Sequence, residues 1–419
     1  VRGAAFRLLW TGQTVSTIGS AVAGASVPLV ALLVLHASTF EVASLTAAAW
    51  TPWLVAGLPA GAWVDRWPKR RVMLVCDVLR LAAFGAVPVS WALGWLSFGV
   101  LLAAAVVGGF ATVFFSLAYR AFLPSVVDDA DLLGANVRLQ GAESAAQVGG
   151  PGLAGLLASA FGPVSGVLVD AVSFGFSALC LGFLRADEPP PRPRTRLRAE
   201  IGEGMRIVAR DAYLRVLVLS GGVANLALNG FYAVSVVFLV DGLGQGPGVV
   251  GLVLALGEAG GVLGATLVSR VARRTGTAWG FLWCEALVVP AMLLGPLAQP
   301  GWGLTLFVLA GAGIAAGVVG SNVLGATFRQ RYCPRHLYGR ISATASMVNY
   351  GTIPLGALLG GALGQAAGVR AAMFVMVGIQ LASLGVLLLG PLRRTRDFPQ
   401  GGLAVDNPAQ GAGVVGGGG

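Results

Sequence analysis

Charge is what this chain has least of. Of its 419 residues 11% are Asp, Glu, Lys or Arg, against about 25% in ordinary soluble domains, which excludes a set of soluble globules coated with polar side chains. Lysine occurs once, at Lys69, and histidine twice, at His36 and His336. The four cysteines, Cys76, Cys180, Cys284 and Cys333, have no CxxC spacing, so neither a disulfide framework nor a zinc site is expected, and no metal or other cofactor is called for. HExxH, GxSxG and G-x-x-x-x-G-K-[ST] sequences are absent, which argues against an enzyme and against direct ATP drive. The net charge of +10 is not gathered on a polar face, so nucleic acid is excluded as a partner.

What the chain has is apolar length. Hydrophobic residues make up 56%, in stretches of about 20 residues, enough to cross the hydrocarbon of a bilayer. Twelve such stretches are read, at 8–34, 42–64, 72–94, 96–122, 134–160, 163–184, 214–240, 247–270, 277–297, 301–328, 338–365 and 369–391. They are expected to be helices, because a lipid-facing strand leaves backbone groups unpaired. Arg2 and Arg7, Arg66 to Arg71, Arg120 and Arg138, the arginines of 185–215, Arg270 to Arg274, Arg329 to Arg340 and Arg393 to Arg396 then share one side. The opposite loops hold only Arg370. The positive-inside rule therefore predicts a multi-pass protein of the plasma or inner membrane with both termini in the cytoplasm.

Four segments follow: bundles over 1–184 and 214–391, a cytoplasmic linker over 185–213, and a disordered Gly-rich tail over 392–419. The linker opens with a stiff Pro/Arg stretch at 186–196, then repeats Leu197, Ile201, Met205 and Val208 at helical spacing, which predicts a short amphipathic helix. The bundles echo each other at an offset of about 204 residues: Ala62–Arg70 with Thr266–Arg274, Leu133–Asn136 with Tyr338–Ile341, and Gly150-Pro151 with Ile353-Pro354. Duplicated bundles of this kind enclose the midplane site of many secondary transporters.

Gly61-Ala62-Trp63-Val64-Asp65-Arg66-Trp67-Pro68-Lys69-Arg70-Arg71 resembles the loop G-x-x-x-D-R-x-G/P-R/K-R/K between the second and third spans of the major facilitator superfamily. Gly61 is expected to allow close helix approach and Pro68 to fix the turn, with Asp77 and Arg80 joining the charge network. By that resemblance the loop latches the two bundles together at the cytoplasmic face in the outward-open state. Gly150-Pro151-Gly152-Leu153-Ala154-Gly155 resembles the G-P-x-x-[AG]-G antiporter motif of drug exporters in the same superfamily, with Ala146 where the fullest pattern has glycine. Leu123–Asn136 and Glu203–Arg215 look like the enterobactin-exporter and macrolide-efflux branch. The resemblance implies two pseudo-symmetric bundles of six helices, an all-α membrane protein.

An acid inside the bilayer costs at least roughly 2.5 kcal/mol, so each one invites a role. The candidates are Glu143, Asp170, Glu258 and Glu285. The superfamily arrangement, carried over by resemblance, leaves the third, sixth, ninth and twelfth spans outside the cavity. That favours Glu258 and Glu143 as the proton site or as the anchor of a cationic substrate; the alternative is acids neutralised by packing or facing a wet vestibule. Gln147, Asn225, Asn229, Asn322 and Asn349 are expected either to line the cavity or to bind backbone of neighbouring helices, and Trp50, Trp53, Phe231, Tyr232 and Tyr350 to meet an apolar compound. The resulting expectation is a monomer in the lipid bilayer that exports a small amphipathic molecule in exchange for protons. An uncoupled facilitator or importer has the same topology.

Overall fold

The computed structural model describes residues 2–64, 66–127, 131–184 and 197–399. The first bundle consists of α1 (Arg2–Leu33), α2 (Thr39–Val64), α3 (Lys69–Ala92), α4 (Phe98–Val126), α5 (Leu132–Phe161) and α6 (Ser165–Phe183). A short α7 (Leu197–Arg210) leads to α8 (Ala212–Val237), which continues as a π turn to Gly242, and then to α9 (Pro247–Glu258) and α10 (Gly260–Thr275). The second bundle closes with α11 (Thr277–Leu297), α12 (Leu304–Tyr332), α13 (Arg335–Ala367) and α14 (Val369–Leu389). With α9 and α10 as one rod broken at Ala259, the rods coincide with the twelve expected spans to within a few residues. Several overrun the apolar stretch at their arginine-rich ends, where interfacial water satisfies the last carbonyls.

Among the described residues, nine rods hold a window apolar enough to cross a membrane. Of the others, α5 and α13 are diluted by glycine and by side chains such as Glu143, Gln147 and Asn349. Both pack against the opposite bundle, so lipid does not dictate their composition.

Neighbour relations repeat between the bundles. Helix α1 packs on α5 and α6 as α8 packs on α13 and α14, and α3 packs on α4 and α6 as α11 packs on α12 and α14. Even the turns correspond: α5 and α13 each end on a glycine in the left-handed region, Gly162 at φ 90° and Gly368 at φ 88°, a conformation that strains any residue with a Cβ. Across the bundles, α2 meets α13 and α5 meets α9, the same contact seen from each side of the pseudo-two-fold axis.

Local chemistry fixes the helix entries. Ser38-Thr39-Phe40-Glu41 forms a capping box, in which Ser38 N donates to Glu41 Oε2 at 2.8 Å and Glu41 N to Ser38 Oγ at 3.4 Å. Asp211 caps α8 by accepting from Leu214 N at 2.8 Å, and its second oxygen accepts from Tyr332 Oη at 2.7 Å. The amphipathic α7 docks on α13: Val208 is buried, Glu203 pairs with Arg340 at 2.5 Å, and a Cβ on Gly204 would lie 2.8 Å from Arg340 O. Met205, expected on the same apolar face, is exposed. The Pro/Arg stretch at 186–196 lies outside the described residues.

The tail departs from expectation. Instead of disorder from 392 onward, the segment to Phe398 is a strap. Asp397 Oδ1 accepts from Thr277 N at 2.8 Å, and Phe398 stacks on Phe328 with centroids 4.3 Å apart. The apolar side chains of Leu392 and Phe398 supply the burial that a Gly-rich composition hides. Phe398→Ala is expected to cost about 3 kcal/mol, as for other buried aromatics, read as a lowered unfolding midpoint. An unchanged midpoint would show the strap to be ornamental. Residues 400–419 lie outside the description.

One end of the molecule is closed and the other open. At the short-loop end a single apolar cluster runs through both bundles, from Leu29, Val42 and Leu101 to Phe231, Phe238 and Phe307. At the arginine-rich end each bundle has its own cluster, around Met73 and Phe122 in one and Phe328 and Ile341 in the other. The inter-bundle seams agree. Small residues bring α5 and α9 together around Gly155 and Gly251, and α2 and α13 around Ala43 and Gly361, all in the short-loop half.

Candidate substrate and proton sites

The glycine-proline segment of α5 is a double crossing. A Cβ on Gly150 would lie 2.5 Å from Ala21 Cβ of α1, and one on Gly155 would lie 2.6 Å from Pro247 O and 2.8 Å from Gly251 Cα of α9. Pro151 leaves its turn short of one hydrogen bond, and its carbonyl faces Gly251. Backbones at this separation let two rods meet or part without interlocked side chains.

The signature loop behaves differently from expectation. A Cβ on Gly61 would meet open space, so this glycine serves no close approach here, because the bundles are apart at this end. Asp65 lies outside the described residues. Arg70 donates to Leu181 O at 2.7 Å and to Gly182 O at 2.6 Å, capping the C-terminus of α6, where cations are favoured. Lys69 donates to Trp67 O at 3.0 Å, while Arg66 and Arg71 are exposed. Asp77 and Arg80 belong to the bundle interior, away from the loop. They pair with each other, and the Arg80 guanidinium lies 4.3 Å from the ring centroids of both Phe115 and Phe174.

Glu143 is exposed on α5 and lines a cavity of about 780 Å³ with Gln13, Tyr119, Arg120 and Gln140, near the open end. Its basic neighbour there is Arg120 of α4 rather than Arg138, because only Arg120 lines that space. Glu258 ends α9 at the helix break and shares a small hollow with Tyr232 and Phe231. The glycines around it receive a helix, not a ligand: a Cβ on Gly257 would lie 3.1 Å from Gly311 Cα, and one on Gly260 2.2 Å from Ala312 O. Tyr232 is exposed beside it, whereas Phe231 is core.

The amides divide. Asn225 donates to Gly221 O at 3.0 Å and Asn229 to Asn225 O at 2.9 Å, so each gives an N–H to its own helix. Asn349 Oδ1 is buried without a hydrogen bond, pressed toward Gly221 of α8. Gln147 and Asn322 are exposed. Glu285 is half-buried on the outer α11. Cys333 lies beyond α12, where burial pushes its thiol up to about 11, leaving it a neutral packing group.

Asp170 is turned inward within its own bundle. Although α6 is an outer helix, Asp170 is 1% exposed and lines a cavity of about 330 Å³ inside the first bundle, together with Ser20, Trp50, Trp53 and Phe174. Ser20 Oγ donates to it at 3.2 Å, and Arg80 is close enough to act on it electrostatically. The signal was in the sequence: Arg80 stands about three turns into its span, and an arginine so placed needs partners.

Two bundles with repeated neighbour relations, swapped seams and one open end are what a rocking transporter requires. The sequence profile of the Major Facilitator Superfamily matches residues 9–353. The chain belongs to the Major Facilitator Superfamily. Within it, the multidrug efflux pump Tap of Mycolicibacterium fortuitum is 30% identical over 88% of this chain and 91% of its own. The enterobactin exporter EntS of Citrobacter koseri is 25% identical over 94% of each. Among solved structures, a bacterial homologue of the iron transporter ferroportin in its inward-facing state superposes with a TM-score of 0.73 at 19% identity, covering 92% of this chain and 98% of the other. In its outward-facing state the same homologue reaches 0.61. This superfamily member is therefore a multi-pass membrane transporter of small molecules related to efflux pumps, and not an enzyme.

Proposed function

We propose that this transporter exports small amphipathic compounds across the plasma or inner membrane by proton antiport. Its arginine-rich end and both termini would lie in the cytoplasm, so that the open end makes this the inward-facing state. The observation that carries the reading is the pairing of an open, polar cavity on one bundle, bearing Glu143, with an acid at a helix break on the other, Glu258 beside Tyr232. A proton on either acid removes a charge from the path between the bundles and so lowers the cost of closing them. The names of Tap and EntS as exporters support the outward direction. One chain carries both bundles and the space between them, which supports a working monomer.

The test is efflux of a compound panel from cells with and without the protein, each with and without a protonophore, followed by proton release on substrate addition in reconstituted vesicles. Glu258→Gln is expected to cut uphill efflux at least tenfold while sparing downhill exchange, with Glu143→Gln a weaker second. Retained protonophore-sensitive efflux in both single variants would remove the acids from the proposal. Transport without proton movement would make the protein a facilitator.

A further inference from the structure

The cavity of about 330 Å³ inside the first bundle shares no lining residue with the cavities that hold Glu143 and Glu258. Its walls are largely aromatic and aliphatic, with Trp50, Trp53, Phe84 and Phe174 among them. At its floor is the Asp170 carboxylate, 1% exposed. Behind the carboxylate, Arg80 is held between two phenylalanine rings and paired with Asp77. Counted as ionised, the charges in this buried group sum to one negative. Two carboxylates share one guanidinium, and Asp77, which is fully buried, already takes the direct ion pair. The helices packed around Asp170 offer it no second cation among the described residues: α1 presents Ser20, α3 presents Arg80 with Asp77, and α6 itself adds the Ser173 hydroxyl, which donates to Asp170 O at 2.7 Å.

We propose that this cavity binds the apolar body of a monocationic amphiphile, an organic ammonium with an aromatic or alkyl group, with Asp170 as its counter-charge. Formal negative charge at the floor favours a cation, and the aromatic walls, Trp50 and Trp53 among them, suit the apolar body that trails it. A volume near the lower bound for small-molecule sites, about 300 Å³, limits the body to one or two rings. An anion meets the Asp170 carboxylate before it can meet Arg80, which is screened behind Phe115 and Phe174. The site also reports to the other bundle. Trp50 and Trp53 contact Tyr350 of α13 with ring centroids 5.8 and 5.3 Å apart, so a ligand that turns either indole bears on a seam between the bundles.

The inference rests on the export reading for its physiological direction, but binding can be tested apart from transport. The purified full chain in nanodiscs is titrated with phenylbutyltrimethylammonium and with its uncharged tert-butyl isostere. The wild type is expected to bind the cation at least tenfold more tightly than the isostere. Asp170→Asn, which leaves the Asp77–Arg80 pair neutral and the fold intact, is expected to erase that preference. Gly24→Phe is expected to weaken both ligands tenfold or more, because Gly24 lines the cavity and a Cβ there meets nothing within 4 Å. Equal affinity for the two ligands, no binding of the cation, or a preference that survives Asp170→Asn overturns the proposal. Protonophore-sensitive efflux of uncharged compounds by the same cells reports on export independently, so the two readings fail separately.

Discussion

Gly155→Leu is expected to leave the protein folded and inserted but to reduce transport at least fivefold. Helices α5 and α9 meet backbone to backbone: a Cβ on Gly155 would lie 2.6 Å from Pro247 O, and one on Gly251 2.4 Å from Pro151 O. A leucine forces the rods toward ordinary helix spacing, about 8–10 Å between axes, so the short-loop end cannot close as it does here. Overpacking of this kind costs about 1–3 kcal/mol, and on a two-state equilibrium that is roughly 5- to 150-fold. On a cysteine-free background, spin labels at the exposed Phe161 and Val249 are expected to move apart in the variant. The pseudo-symmetric change, Gly361→Leu against Ala43, at 2.4 Å, is expected to act the same way on the α2–α13 seam. Gly149→Leu supplies the control, since a Cβ at Gly149 meets open space. If Gly155→Leu transports like the wild type, the crossing is not the pivot.

Arg80→Ala is expected to give the largest loss of stability of any single change away from the seams. Its guanidinium is 5% exposed, and removing it leaves Asp77 and Asp170 as buried acids with no cation between them. Stripping one partner from a buried pair costs about 3–5 kcal/mol, and here the Asp77–Arg80 pair is the one broken. Most of the variant is expected to be lost from the membrane or to unfold at a much lower temperature in detergent. Arg80→Lys keeps the charge but not the flat group stacked between Phe115 and Phe174, so it should fall in between. The triple variant Arg80→Met, Asp77→Asn, Asp170→Asn, which removes the charges together, should be more stable than Arg80→Ala alone. An Arg80→Ala protein with the wild-type unfolding midpoint would contradict the charge accounting.

The sequence by itself determined how many rods there are, where they begin and end, and that they form two related sets. All of this follows from one-dimensional chemistry: hydrocarbon thickness sets the apolar length, arginine placement sorts the loops, and duplication leaves an echo in order. It also marked the glycine-proline segment of α5 as a close crossing, because small residues let a neighbouring backbone approach. What it could not decide is what each helix faces. The place of α6 in the chain order ranks Asp170 below Glu143 and Glu258 for the central cavity but says nothing of the cavity within the first bundle that it lines, since the direction of one side chain depends on rotation about the helix axis and not on span number. Gly61 and Gly155 look alike in a string, but only Gly155 has a backbone against it, because the bundles meet at one end and part at the other. That choice of end is a difference between two packings of the same sequence, and tertiary contact alone selects it.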